Sequence, residues 1–197
     1  MAEHTPHIIG ITGPAGAGKS TFARHLLCAL AERHIPAICI PFAAALKKLA
    51  RSIGWDGVKD ARGRRLLQLL GTDVCRGCIS DSYWVDRWRA AVVRAAETHV
   101  HVVVTDDVRF PNEAFAIRAL NGTIIRLTGR AADIGAGARH ASEIQLRASL
   151  VDVAFDNRGS TAMLQDYAAS TAACIVTALG AHRSRTPPQK HESGSRP

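Results

Sequence analysis

A glycine-rich segment near the start of the chain carries the first residues that could do chemistry. The run GPAGAGKS, from Gly13 to Ser20, fits the pattern G-x-x-x-x-G-K-S/T and lies between an apolar run, His7–Thr12, and a segment with helical spacing. Glycines let the backbone curl so that successive N–H groups point at a polyphosphate, and the helix that follows directs its positive end at the same anion. The segment therefore predicts a phosphate loop that binds ATP or GTP.

The side chains of this loop have distinct predicted roles. Lys19 adds a full positive charge and is a predicted catalytic residue, Ser20 is a predicted Mg²⁺ ligand, and the hydroxyl of Thr21 supports a phosphate. A glycine turn without a ligand and a dinucleotide-binding fold are the alternatives, but the flanking strand and helix, and a spacing other than G-x-G-x-x-G, favour the phosphate loop. The predicted nucleotide-binding residues are Gly13, Ala15, Gly16, Ala17, Gly18, Lys19, Ser20 and Thr21.

A second group of charged residues follows the β-branched run HVHVVVTDD. Asp106 and Asp107 end this predicted strand, and Arg109 and Glu113 follow shortly after. The carboxyl ends of parallel strands lie beside the phosphate loop in such folds, so we expect one of the two aspartates to meet the metal. The residues by themselves leave open which of the two aspartates this is. A set of surface salt bridges is the alternative interpretation.

The elements that would position these residues alternate between strands and helices. Residues 43–97 have helical patterning, broken at Gly54, Gly57 and Gly71, and form a predicted helical insert. The Gly- and Ala-rich segment 129–143 is a predicted lid loop. The strands read as buried on both faces, which is typical of a parallel sheet. The pattern predicts an α/β, three-layer phosphate-loop fold with a central parallel sheet. The predicted strands cover about 7–12, 35–41, 99–107, 123–128 and 151–155. Outside the insert, the predicted helices cover about 20–33, 112–120 and 161–179, and Ser160 is the predicted N-cap of the last one.

Length and composition limit the class of protein. A chain of 197 residues is predicted to form one domain, over 1–181, followed by a disordered basic tail over 182–197. The formal charge is +8, to which the tail contributes four Lys or Arg residues against one Glu, and this surplus suits anionic small molecules as well as nucleic acid. Without a long apolar run or a secretory layout, and with five scattered cysteines, we expect a soluble cytoplasmic protein without a membrane association.

Six spaced blocks after the loop resemble the deoxynucleoside monophosphate kinases of tailed bacteriophages and prophages. In order they are FAAALKKLA, RRLLQLLGTDVCRG, SDSYWVDRW, DVRFPNEA, HASE and DNRGS, and the similarity runs over residues 7–179. The resemblance implies a phosphate-loop α/β core, a helical region that holds the acceptor nucleotide, and a lid. It also implies that the terminal phosphoryl group of ATP, with Mg²⁺ bound, passes to a deoxynucleoside monophosphate.

The same resemblance implies which residues hold the acceptor. Arg65 would grip a phosphate and Gln68 would read a base edge, and their spacing puts both on one face of a helix. Arg76 is a weaker candidate for this pocket. The resemblance also implies that Asp107 and Arg109 face the acceptor and the metal, so Asp107 is the predicted metal ligand and a predicted catalytic residue. In the lid, Arg130 and Arg139 are the available cations, and Arg130 is the preferred catalytic arginine. The full predicted acceptor set is Phe42, Ala43, Lys47, Arg65, Gln68, Asp107 and Arg109.

Several of these patterns have a structural alternative. Lys47 and Lys48 also fit the solvated face of an amphipathic helix, and Trp84 and Trp88, four residues apart, fit core packing better than base stacking. The C-x-x-C run at residues 75–78 has no second pair, which disfavours a metal site. HASE, at residues 140–143, fits a helix start better than a hydrolase triad, because residues so close on a helix cannot form one.

Three other functions remain open from the sequence. Dephospho-coenzyme A kinases share the phosphate loop and an Asn-Gly-Ser turn similar to NRGS, and phosphomevalonate kinases of the animal type share the overall plan. The blocks LLQLLGTDVCRG and RFPNE favour a nucleotide acceptor over both. A nucleotide-dependent nucleic-acid-binding protein is disfavoured because the arginines gather around predicted phosphate sites. The sequence is compatible with a homodimer but does not determine the oligomeric state.

Overall fold

A computed structural model describes residues 5–129 and 146–184 of the chain. Arg130, most of the predicted lid and the predicted tail beyond residue 184 lie outside the described residues. The strands are β1 His7–Thr12, β2 Ala37–Cys39, β3 Val102–Thr105, β4 Thr123–Thr128 and β5 Val153–Asp156, and the α-helices are α1 Lys19–Ala31, α2 Ala43–Ser52, α3 Ala61–Gln68, α4 Tyr83–Glu97, α5 Pro111–Arg118 and α6 Thr161–Ser184.

The strands form one parallel sheet in the order β2-β3-β1-β4-β5. Parallel neighbours need a crossover connection, and in the described residues α1, the helical insert and α5 supply the connections between β1, β2, β3 and β4. The central strands are covered on both faces, which explains why β3 is a continuous valine run with every residue buried. The predicted parallel sheet is confirmed, and so is Ser160 as the N-cap of α6, because its Oγ accepts from the Met163 N–H at 3.3 Å.

Alternating side chains of β1 connect the sheet to two separate hydrophobic cores. Ile9 and Ile11 pack on one face with α1 and α6, where Phe22 is fully buried. Ile8 points to the opposite face and packs with α4 and α5, where Trp88 is buried. Since successive side chains of a strand point to opposite faces, this alternation builds helix, sheet and helix layers. The predicted three-layer α/β fold is confirmed.

The helical insert lies between β2 and β3, as predicted, and contains one unexpected element. The pattern predicts an α-helix that breaks at Gly71, but the chain continues from α3 through Gly71 as a π-helix, Leu69–Ile79. Its last bond joins the Ser80 N–H to the Cys75 carbonyl, five residues back, at 3.0 Å. π-Helices are rare and occur mostly at functional sites, because the wider turn changes the direction of the side chains.

The aromatic and cysteine residues of the insert have structural positions. Trp84 and Trp88 are 4% and 2% exposed, as core packing predicts. Cys75 and Cys78 are both free thiols, and among the described residues no group of three or more His, Cys, Asp or Glu side chains is arranged to hold a metal. Within the described ranges, no helix is both long and apolar enough to cross a bilayer.

Candidate functional site

The phosphate loop connects β1 to α1 at the carboxyl edge of the sheet, and at two of its three positive-φ glycines a Cβ would also meet neighbouring atoms. Gly13 has φ +142°, and a Cβ there would overlap the carbonyl oxygen of Leu127 on β4. Gly18, directly before α1, has φ +91°, and a Cβ would lie 2.6 Å from Nδ2 of Asn157. Side chains are therefore excluded by backbone conformation and by neighbouring atoms alike.

Asn157 holds the loop from outside, and the sequence prediction did not include it in the site. This residue follows β5 in the DNRGS turn, is 5% exposed, and donates from Nδ2 to the Ala17 carbonyl at 2.9 Å. Its own N–H donates to the carbonyl of Thr128 on β4 at 2.8 Å. A polar residue after a strand of the parallel sheet was the available signal, since the ends of such strands meet at one edge.

Lys19 lies across the loop to which it belongs. Its Nζ donates to the carbonyls of Gly13 and Pro14, both at 2.8 Å. Burial lowers the pKa of Lys19, and the positive charge of Arg109 lowers it further, while Asp106 and Asp107 oppose the shift. Lys19 and Arg109 are thus near enough for their charges to interact, although one belongs to α1 and the other follows β3.

Asp106 is the carboxylate that lies beside the phosphate loop. The Ser20 hydroxyl donates to Oδ2 of Asp106 at 2.6 Å, so a helix-start hydroxyl and a strand-end carboxylate meet at one point. On its other side, Asp106 Oδ1 is 3.9 Å from the Cys39 thiol, whose pKa is raised by burial to about 12, which keeps the thiol protonated. Hydroxyl and carboxylate oxygens are ligands that Mg²⁺ prefers.

The carboxylate of Asp107 binds the start of α2, whereas the prediction placed it with Ser20 at a metal. Its two carboxylate oxygens accept from the N–H groups of Phe42, at 2.8 Å, and Ala43, at 3.0 Å. Free N–H groups at a helix start carry partial positive charge, so a carboxylate there stabilises the helix. Burial raises the pKa of Asp107 against these bonds. The geometry favours Asp106 over Asp107 as a ligand of a metal next to Ser20.

A cavity of about 500 Å³ opens between the phosphate loop, the helical insert and the turn after β3, residues 106–110. We call it the phosphate-loop cavity. Three carboxylates line it, those of Asp106, Asp107 and Glu113. The cations that line it come from all three regions, and they are Lys19, Lys47, Lys59, Arg64, Arg76 and Arg109. The excess of positive charge suits polyanionic ligands.

Most of the predicted acceptor residues meet in this cavity, but one arginine differs. Phe42, Ala43, Lys47, Gln68, Asp107 and Arg109 line it, together with Arg76, the weaker candidate. From α3 the lining residues are Arg64, Leu67 and Gln68, whereas Arg65 is exposed and lies outside the lining. Residues four positions apart lie closer to one face of a helix than residues three apart, so Arg64 lies with Gln68 on the face toward the cavity. Thr21 is partly buried in the first turn of α1.

Helix α2 separates this cavity from a second one. Lys47 faces the phosphate-loop cavity, while Lys48, the next residue, lines a cavity of about 600 Å³ between α2 and α4. The cavity between α2 and α4 has no residue of the phosphate loop in its lining. The convergence of the loop, Asp106 and the cations therefore identifies the phosphate-loop cavity as the candidate reactive site.

Comparison with known proteins gives a family match and shared folds. Residues 40–167 match the family model described as deoxynucleotide monophosphate kinase, a segment that contains the insert and the turn after β3 but not the phosphate loop. A search of curated proteins finds no match to this chain.

Two solved kinases are similar to this chain. The APS kinase CysC of Mycobacterium tuberculosis, in complex with AMPPNP and APS, is 15% identical over 89% of this chain and 98% of that chain, with a TM-score of 0.50. A gluconokinase from Sinorhizobium meliloti 1021 is 17% identical over 91% of this chain and 98% of that chain, with a TM-score of 0.46. At 15% identity the likeness to the APS kinase extends to the fold alone.

Proposed function

The chain belongs to the deoxynucleotide monophosphate kinase family, and from this premise we propose how its cavity transfers the terminal phosphoryl group of ATP to a deoxynucleoside monophosphate. The observation that carries the proposal is the convergence of cations from three regions on one cavity beside the phosphate loop. Two polyanions must be held end to end in this reaction, and cations must offset their repulsion before the phosphoryl group can pass in line. The cavity supplies that charge.

ATP binds through the phosphate loop in this proposal. Backbone N–H groups of Gly13–Ser20 and the start of α1 hold its phosphates, and Lys19 exchanges its two carbonyl partners for phosphate oxygens. The lowered pKa of Lys19 supports this, because a nearby positive charge from Arg109 is one of its causes. Two neighbouring cations bind an anion between them more strongly than either does alone.

Mg²⁺ is the metal that the residues beside the loop fit. The Ser20 hydroxyl and the Asp106 carboxylate lie 2.6 Å apart and offer two hard oxygen ligands. When bound, Mg²⁺ neutralises charge on the phosphates that it contacts. We therefore propose Ser20 and Asp106 as its protein ligands and give Asp107 a different role, which is to fix the start of α2 and, through it, the acceptor side of the cavity.

The acceptor binds between α2, α3 and the turn after β3. Lys47 and Arg64 contact its phosphate or base, Gln68 reads a base edge, and Arg109 lies toward Lys19. A phosphate oxygen of the acceptor attacks the terminal phosphorus of ATP, and the bond from that phosphorus to the bridging oxygen breaks. The electron pair stays on the bridging oxygen, so ADP leaves and the acceptor becomes a deoxynucleoside diphosphate.

Two further parts of the proposal have their support in the sequence. Arg130, in the predicted lid, is the proposed arginine that closes over the transferring group, as lids do in such reactions. A cytoplasmic location is proposed because all five cysteines are unpaired, which is typical of a reducing compartment.

The experiment is a coupled assay of ADP formation from ATP with each deoxynucleoside monophosphate in turn. Dephospho-coenzyme A and phosphomevalonate are tested in parallel, and ATP without an acceptor measures the background. We expect acceptor-dependent ADP formation with at least one deoxynucleoside monophosphate and a diphosphate product by chromatography. Turnover with only the other two acceptors, or ATP-dependent binding of DNA without any turnover, would contradict the proposal.

A further inference from the structure

A buried ion pair joins the helical insert to the turn after β3. Arg76 of the π-helix and Glu113 of α5 approach to 2.5 Å between Nη2 and Oε1, with side chains that are 6% and 4% exposed. Among the ion pairs of the described residues, this is the one in which both side chains are buried. Both residues line the phosphate-loop cavity.

Glu113 also holds the backbone of the turn after β3. Its Oε2 accepts from the N–H groups of Arg109, at 2.8 Å, and Phe110, at 3.0 Å. One carboxylate thus binds three donors from two regions, the Arg76 guanidinium on one oxygen and two consecutive N–H groups on the other. These bonds fix the backbone of Arg109 and therefore the point at which its side chain leaves the turn.

Arg76 is held on several sides, so the carboxylate that it contacts has little freedom to move. Its Nη1 donates to the Asp81 carbonyl at 2.9 Å, and its guanidinium carbon lies 4.1 Å from the centre of the Phe110 ring. Phe110 is therefore bound twice, by its N–H to Glu113 and by its ring to Arg76. The pair connects the π-helix to the backbone of residues 109 and 110.

Stability alone does not account for such a pair. Dehydrating two charges offsets most of their attraction, and apolar side chains of similar volume would often fill the space equally well. Apolar side chains would not, however, accept the N–H bonds of Arg109 and Phe110. What the pair adds over an apolar contact is a fixed geometry for this turn.

We infer that Glu113 and Arg76 are positioning residues for phosphoryl transfer, which hold the Arg109 backbone so that its guanidinium faces the cavity beside Lys19. The inference rests on the proposed function, because it gives Arg109 a part in that reaction. Small displacements matter here, since in-line transfer depends on the alignment of the reacting groups. Neither residue needs to touch a substrate for this role.

A double-mutant cycle between Glu113→Gln and Arg109→Ala tests the inference, with kcat and both KM values measured for each variant. We expect Glu113→Gln to lower kcat/KM for the acceptor about 10- to 100-fold, with KM for ATP changed by less than about threefold. If Glu113 acts through Arg109, kcat/KM for the acceptor in the double variant is within about threefold of its value in Arg109→Ala alone. If the fold-losses of kcat/KM in the two single variants multiply in the double variant, the inference is overturned.

Asp152→Asn is the matched control. Asp152 accepts from Nη2 of Arg118 at 2.6 Å and from the Ile124 N–H at 2.8 Å, so it joins an arginine and a backbone group as Glu113 does, but it does not line the phosphate-loop cavity. We expect this variant to keep the kinetic constants of the unmodified chain. A kinetic loss equal to that of Glu113→Gln would show a general structural effect and overturn the inference.

Arg76→Lys gives a second cycle if Glu113→Gln does not fold. A lysine keeps the positive charge but not the several N–H donors of the guanidinium. We therefore expect a smaller loss of kcat/KM for the acceptor than in Glu113→Gln, and no further loss when Arg109→Ala is already present. Losses that multiply there would overturn the inference. Measurements on the unmodified chain separate the two proposals. If it shows no turnover with any deoxynucleoside monophosphate, the proposed function and this inference are both overturned. If it turns over but the fold-losses of the variants multiply, this inference alone is overturned.

Discussion

The two ends of the phosphate-loop cavity are built from the chain in different ways. At one end, the consecutive residues Gly13–Ser20 form the loop, and the first turn of α1 continues from it. At the other end, side chains come from α2, α3, the π-helix and the turn after β3. Contacts between residues far apart in the chain hold this acceptor side together, among them Asp107 with the start of α2 and Glu113 with Arg76.

This difference determines how each end responds to a substitution. The loop places its groups mainly by local backbone conformation, with Asn157 as a support from outside, so removing one loop side chain removes mainly the interaction of that side chain. The acceptor side depends on long-range contacts, so removing one partner also displaces others. The predictions below test this contrast.

Lys19→Ala is expected to give the largest effect. Loss of the cation beside the transferring phosphates should reduce kcat about a thousandfold or more, because charge stabilisation is the main contribution of the protein to this reaction. The free energy of unfolding should change little, since within the described residues the ammonium donates its hydrogen bonds to carbonyls of its own loop. Steady-state kinetics and urea denaturation measure the two quantities. Near-normal turnover would mean that the phosphate loop is not the ATP site.

The two neighbouring aspartates should separate a metal effect from a structural effect. Asp106→Asn is expected to lower kcat about 100-fold and to raise the Mg²⁺ concentration needed for half-maximal activity about tenfold, because it weakens a metal ligand. Asp107→Asn replaces an acceptor by a donor at the start of α2, so it should lower the free energy of unfolding by about 1–3 kcal/mol and raise the acceptor KM.

Titration of kinetic constants against Mg²⁺ distinguishes the two aspartate variants. An altered Mg²⁺ dependence in Asp107→Asn, with a normal dependence in Asp106→Asn, would restore the pairing of Ser20 with Asp107 that we predicted from the sequence.

The buried carboxyl of Glu113 should make stability depend on pH. The pKa of Glu113 is raised from 4.5 to about 7, mainly by burial and also by the negative charge of Asp107, although the N–H groups of Arg109 and Phe110 and the charge of Arg76 oppose the rise. The folded protein then binds this proton more strongly than the unfolded chain, so the contribution of Glu113 to stability is complete below pH 4.5 and is lost as the pH rises through about 7.

Denaturation of the unmodified chain and Glu113→Gln at several pH values measures this contribution. The stability of the unmodified chain relative to the variant should fall by on the order of 1 kcal/mol per pH unit between pH 5 and 7. A difference that stays constant over this range would show that Glu113 has an ordinary pKa.

Arg64→Ala and Arg65→Ala form the mildest test, since both change one exposed cation of α3. Loss of Arg64 should raise the acceptor KM about tenfold and leave the ATP KM within about twofold, because a hydrogen bond to a charged group is lost on one side of the cavity only. Arg65→Ala should change neither constant by more than about twofold. A larger effect at Arg65 would favour our original sequence prediction and contradict the helix orientation in the structure.

Much of the core fold could be predicted because its signals are local. Apolar runs of four to six residues gave the strands, and the glycine pattern gave the loop, since backbone conformation there depends on the residues themselves. The π-helix could not be predicted, because its residues have the same apolar spacing as an α-helix. The role of Asn157 was also missed, since it depends on β5 ending beside the phosphate loop.

What the sequence by itself determined is the phosphate loop with Lys19 and Ser20, the parallel three-layer fold and the kinase family. Only the tertiary structure decided that Asp106 meets Ser20 while Asp107 binds α2, that Arg64 rather than Arg65 lines the cavity, and that Arg76 reaches Glu113. Neighbouring residues at a strand end or on a helix point in different directions, and the same residue type at either position fits the pattern equally well. Packing of the insert against the sheet selects between them.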